Sequence, residues 1–105
     1  LDRTIEAVQY VDTCIGGIVG RVQDSGGTAI LTSSHGNCEE MIDPDTGNAK
    51  NTTTSNPVPF HLIGASENGL RLRPEGTLAD IAPTILGILG IDPPEEMTGN
   101  DLRMG

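Results

Sequence analysis

Gly26-Gly27-Thr28-Ala29-Ile30-Leu31-Thr32-Ser33-Ser34-His35-Gly36-Asn37 is the stretch on which the fold turns. Its glycines accept the left-handed conformation that ends helices. The run Thr28–Thr32 follows at once, β-branched at its ends and with too little alternation to be half exposed. Its composition predicts a buried strand of the kind found in parallel sheets. Polar residues crowd the carboxyl end of that strand, the edge at which open α/β sheets place their ligands.

Upstream, Ile5, Val8, Val11, Ile15, Ile18, Val19 and Val22 recur at helical spacing between Arg3 and Asp24, which predicts one amphipathic helix stopped by Ser25-Gly26-Gly27. Downstream, residues 33–56 lose nearly all apolar content and fill with Ser, Asn, Asp, Thr and Gly. A connection of that length inside a compact domain is usually functional. Pro57-Val58-Pro59-Phe60-His61-Leu62-Ile63-Gly64 predicts a second strand, with both prolines at its start, where a missing donor is tolerated. A short edge strand over Leu70–Arg73 is expected after the Asn68-Gly69 turn signal. Thr77 is the expected N-cap, with Asp80 three residues on, of a helix running to about Leu89 and ended by Gly90. Pro83 requires either a separate first turn or a kink. Ile81, Ile85, Ile88 and Leu89 are its expected buried stripe, and the tail from Asp92 is expected to be loop.

This order of elements predicts an α/β architecture with helices against a sheet. Its core is lean, because a chain of 105 residues with one Phe, one Tyr and no Trp must build it from aliphatic side chains. Two core strands make a poor sheet alone, so an incomplete folding unit is expected. The start at Leu1 instead of Met points the same way. With 6 basic against 15 acidic residues the net charge is −9, which argues against a partner with a phosphate backbone. No apolar run is long enough for a bilayer. Cys14 and Cys38 make no disulfide framework, so a reduced, cytoplasmic setting is the simplest expectation.

The densest chemistry is Thr32-Ser33-Ser34-His35-Gly36-Asn37-Cys38-Glu39-Glu40. His35 offers an imidazole suited to Zn or Mn, and its weight comes from its place beyond a strand end. Ser33 and Ser34 lack the surroundings of a hydrolase nucleophile. His35 and Cys38 are spaced like zinc ligands, but the other partners of such a site are missing. Asp43, Asp45 and Gly47 begin like a calcium loop, yet Pro44 and the missing terminal Glu break the pattern and leave a solvated turn. His61, inside an apolar strand, is read as a core or rim residue.

Several stretches, taken in order, carry a family resemblance: His35-Gly36-Asn37-Cys38-Glu39-Glu40-Met41, Asp45-Thr46-Gly47, Asn56-Pro57-Val58-Pro59-Phe60, Leu78-Ala79-Asp80-Ile81-Ala82-Pro83-Thr84-Ile85-Leu86, Leu89-Gly90-Ile91 and Pro94-Glu95-Glu96-Met97-Thr98-Gly99. Together they closely resemble cofactor-independent (2,3-bisphosphoglycerate-independent) phosphoglycerate mutase, of the alkaline phosphatase superfamily. The resemblance implies the C-terminal part of the phosphatase domain, a single segment over 1–105 with 33–56 as its site loop and a partial alkaline-phosphatase-like sheet lacking upstream strands. It also implies glycolytic interconversion of 3- and 2-phosphoglycerate through a phosphoserine, with two Mn²⁺ or similar ions.

The departures from the family pattern concern the metals. Ser34 stands where the family's Asp-His-Gly-Asn has its metal-binding Asp, while His35 is kept. Thr53 stands where the family has the His that binds the other metal, and Lys50 at an earlier His. The nucleophilic serine and the remaining ligands are expected upstream, so no catalytic residue is assigned in this chain, which is expected to be inactive and to bind no stoichiometric metal. The alternatives are a natural pseudoenzyme that keeps the fold for binding, and a phosphopentomutase-like member with a similar Asp-His-Gly-Asn. The wording at Asn56–Phe60 and Glu96–Gly99 favours the mutase. Neither a nucleic acid nor a membrane is an expected partner, and an exposed sheet edge is expected to promote self-association.

Overall fold

The computed structural model describes residues 2–50, 52–64 and 71–104, and the chain divides into two compact units, Leu1–Glu67 and Asn68–Gly105. Helix α1 (Asp2–Asp24) opens the first unit over the span its apolar periodicity predicts. It stops through paired backbone bonds: the Gly27 N–H donates to the Val22 carbonyl at 2.9 Å and the Gly26 N–H to the Gln23 carbonyl at 3.0 Å. This arrangement needs a left-handed residue at its centre, and Gly26, at φ 75°, supplies it. No described residue of α1 is buried, and Ile5, Val8, Val11 and Ile18 remain 49–63% exposed. The helical stripe is therefore formed but largely uncovered.

Strand β1 (Ala29–Thr32) pairs with β2 (Phe60–Ile63), Ala29 opposite Ile63 and Thr32 opposite Phe60. The pairing is antiparallel, which corrects the parallel environment inferred for Thr28–Thr32. A parallel pair needs a crossover connection, usually a helix, and the chain between these strands instead folds straight back through the loop. β1 is half-buried along its length, because the described residues give this sheet no further strand. The Thr32 hydroxyl donates to the Pro59 carbonyl at 2.9 Å and pins the strand end from which the loop departs. His61 stands opposite Leu31 and is exposed, outside any core. Cys14 and Cys38 are both free and exposed.

In the second unit, β3 (Arg71–Leu72) pairs antiparallel with β4 (Arg103–Met104). The tail thus contains a strand that composition did not reveal, since two residues carry no periodicity. The Asn68-Gly69 turn and Leu70 lie outside the described residues. A single 3₁₀ turn, Leu78–Asp80, leads into α2 (Ile81–Leu89). The first turn is therefore separate, and Pro83 occupies the opening turn of α2, where its missing N–H has no helical partner to lose. The buried face of α2 carries Pro83 and Thr84. Ile85 and Leu89 are 41% and 64% exposed, contrary to the predicted stripe. A polar anchor explains the difference: the Thr84 hydroxyl donates to the Asp80 carbonyl at 2.6 Å and accepts the Leu102 N–H at 2.9 Å. Leu102 is the buried large apolar residue among those described.

Candidate functional site

The loop leaves β1 at Ser33, whose hydroxyl donates to the His35 carbonyl at 2.7 Å and turns the chain. Gly36 then forms an antiparallel bridge with Thr54, the Thr54 N–H donating to the Gly36 carbonyl at 2.8 Å. Farther out, the Lys50 N–H donates to the Met41 carbonyl at 2.8 Å, Ile42 bridges Ala49, and the Asp43 N–H donates to the Asn48 carbonyl at 2.9 Å. The tip is a turn in which Asp43 Oδ1 accepts the Asp45 N–H at 2.8 Å. The segment rich in Ser, Asn and Asp is thus an antiparallel finger, and its calcium-like residues form the turn expected of them.

At the base of the finger two adjacent carboxylates are held. Glu39 Oε1 accepts the Asn37 N–H at 2.6 Å, and Oε2 accepts the Thr54 hydroxyl and, at 3.0 Å, the Asn56 side-chain amide. Glu40 Oε1 accepts the Lys50 ammonium at 2.9 Å, and Oε2 accepts the Asn56 amide. Gly36 is buried beneath them. A Cβ there would meet Glu39 Oε2 and Thr54 Oγ1 and would lie 2.8 Å from Glu39 Cδ, so a larger residue would have to move the Glu39 carboxylate and the Thr54 hydroxyl.

The Thr54 hydroxyl, with smaller contributions from the Asn56 and Asn37 donors, lowers the Glu39 pKa to about 2. Lys50 first, then Asn56, lowers that of Glu40, against the repulsion of the neighbouring Glu39 charge. Lys50 is raised in turn, chiefly by its bond to Glu40. Such carboxylates stay ionised at neutral pH and are poor general bases, because a useful base titrates near the working pH. Their chemistry here is charge pairing.

The residues singled out from sequence lie beside this network. Ser34 and His35 precede Gly36, and Thr53 precedes Thr54; because the Gly36–Thr54 bridge is antiparallel, Thr53 runs alongside Asn37 and not alongside His35. All three side chains are exposed. Sequence reasoning gave Glu39, Glu40 and Asn56 no role of their own. The one signal was an acidic pair followed at a distance by an amide, which composition does not separate from a solvated loop.

Residues 1–93 match the family model described as Metalloenzyme superfamily. The chain belongs to that superfamily. Its α/β elements are accordingly part of an alkaline-phosphatase-like layer. It is 44% identical over 102 residues to the 2,3-bisphosphoglycerate-independent phosphoglycerate mutase of Clostridioides difficile (strain 630), with 97% of this chain covered. It is 49% identical over 102 residues to the enzyme of the same name from Ruegeria sp. (strain TM1040), again with 97% covered. The Clostridium botulinum (strain ATCC 19397 / Type A) enzyme of that name is 50% identical over 97 residues, with 92% covered. The chain spans 20% of the length of the first two relatives and 19% of the third.

Membership of this metalloenzyme superfamily implies a divalent metal, and the donors on the loop do not fit one. Among the described residues, no group of three or more His, Cys, Asp or Glu is placed to hold an ion. His35 is present, but the two positions at which the resemblance implies further ligands hold the hydroxyl residues Ser34 and Thr53. Each oxygen of the nearby Glu39 and Glu40 already accepts a protein donor. Hard cations need several oxygen donors and their negative charge.

Proposed function

We propose that this chain is a C-terminal segment, or a degenerate form, of a cofactor-independent phosphoglycerate mutase, and that it does not turn over substrate by itself. The observation that carries the reading is the residue set around the Gly36–Thr54 bridge, an imidazole at His35 but only hydroxyls at Ser34 and Thr53. The resemblance puts an Asp and a His at those hydroxyl positions. The family half of the reading is supported by the identity to phosphoglycerate mutases over nearly the whole chain.

In the complete enzyme the reaction interconverts 3- and 2-phosphoglycerate, a glycolytic isomerisation through a phosphoserine with two Mn²⁺ ions. Its serine and remaining ligands belong to family segments that this chain does not match. A cytoplasmic setting goes with that reading. Among the described residues, no helix is long and apolar enough to cross a membrane. The uncovered stripe of α1 and the two-stranded sheet support a unit that buries its apolar surface against further protein, and self-association follows when nothing else covers it.

The test is a mutase assay on the chain with 3-phosphoglycerate and added Mn²⁺, paired with calorimetric titration of Mn²⁺. No turnover and no stoichiometric uptake are expected; measurable turnover overturns the proposal. The absence of both implied ligands, at Ser34 and Thr53, favours a second reading, a pseudoenzyme that keeps the fold for binding. A complete reading frame containing the upstream serine and ligands counts against that. Assaying the full-length parent with 3-phosphoglycerate against ribose 5-phosphate separates the mutase from a phosphopentomutase-like relative.

A further inference from the structure

A loop that closes beside two adjacent carboxylates is favoured by nearby positive charge, since Glu39 and Glu40 repel each other. A divalent ion is one source, but the donor set beside them does not fit it. The finger contains its own alternative. Lys50 lies on the returning arm, its backbone N–H bonds to Met41 on the outgoing arm, and its ammonium reaches Glu40 Oε1 at 2.9 Å. Asn56, where the finger ends, donates to Oε2 of both carboxylates.

We propose that the 36–56 finger is closed by an internal cation, the Lys50 ammonium acting with the Asn56 amide on Glu39 and Glu40, and that its structure is independent of divalent metal. Lys50 spans the arms, and Asn56 joins the two carboxylates into one unit, so that removing any member loosens the same set of backbone bonds. The proposal concerns how the loop is held and does not rest on the substrate or activity of the chain. Turnover assays bear on the function, and amide exchange bears on this.

The experiment is residue-resolved amide hydrogen exchange on the full 105-residue chain. It reads the N–H groups of Asp43, Lys50 and Thr54, with that of Leu102 in the other unit as the internal reference. In Lys50→Met the three loop amides should exchange about two- to fivefold faster, the range an exposed ion pair provides, with Leu102 unchanged. Lys50→Arg should restore the slow rates. Millimolar MnCl₂ or EDTA should leave all of them unchanged. Unaltered loop exchange in Lys50→Met overturns the proposal, as does slowing of loop exchange by MnCl₂. A double-mutant cycle with Glu40→Gln guards against general loosening: the double variant should exchange no faster than either single one, and additive acceleration overturns the pairing.

Discussion

Thr84 has no exposed surface, and its hydroxyl is used in both directions, to the Asp80 carbonyl and from the Leu102 N–H. Thr84→Val keeps the shape and removes the acceptor, which leaves the Leu102 N–H buried without a partner. A buried unsatisfied donor costs about 1–3 kcal/mol, so the chemical-denaturation midpoint followed by circular dichroism should fall accordingly. Gly36 imposes a limit of another kind. In Gly36→Ala the new methyl displaces the Glu39 carboxylate, whose movement releases the Thr54 hydroxyl and the Asn56 amide. The displaced carboxylate is exposed and can swing aside, so the stability cost should stay below about 1 kcal/mol, the low end for overpacking a core, while the Thr54 amide should exchange faster than in the parent chain. Both positions stood in stretches of recognisable wording, yet nothing in the wording says that one is an anchor and the other a gap.

At the scale of elements, the start of α2 depends on Asp80. Its carboxylate accepts the Asn100 N–H at 2.8 Å and the Thr77 N–H at 2.7 Å, so it closes the capping box and ties the tail to the helix. These bonds, Asn100 first, hold the Asp80 pKa below the ordinary carboxylate value. A carboxylate depressed in the folded state contributes stability that is complete above its unfolded pKa, about 3.9, and is lost as pH falls through the lower folded value. The thermal midpoint should therefore drop on acidification below about pH 4, and Asp80→Asn should flatten that dependence while lowering the midpoint at neutral pH. The N-cap at Thr77, with Asp80 three residues on, was legible because the two lie one turn apart. Asn100, which closes the other half, was not legible, being separated from Asp80 by 20 residues.

For the whole molecule, the exposed stripe of α1 and the two short sheets leave apolar surface that the described residues do not cover. Light scattering should show association that grows with concentration. Val11→Asp together with Ile18→Asp should suppress it with less than about 0.5 kcal/mol change in stability for each exposed site; association unaffected by these changes counts against the stripe as its cause. What the sequence by itself determined is local or motif-borne: the span of α1 and its end at Gly26, the strand at Ala29–Thr32, the N-cap at Thr77, and membership of the metalloenzyme superfamily. Helical period, glycine conformation and capping act within a turn or two, so a short window contains their cause. Only the tertiary structure decided that β1 and β2 run antiparallel, that Thr84 is buried on α2 while Ile85 and Leu89 of the predicted stripe are exposed, and that Glu39 and Glu40 are tied to Lys50, Thr54 and Asn56. The strand pairing joins Thr32 to Phe60 and Ala29 to Ile63, and the side-chain ties join groups 10 to 18 residues apart; which donor meets which carboxylate is fixed by the register of the finger, which composition does not encode.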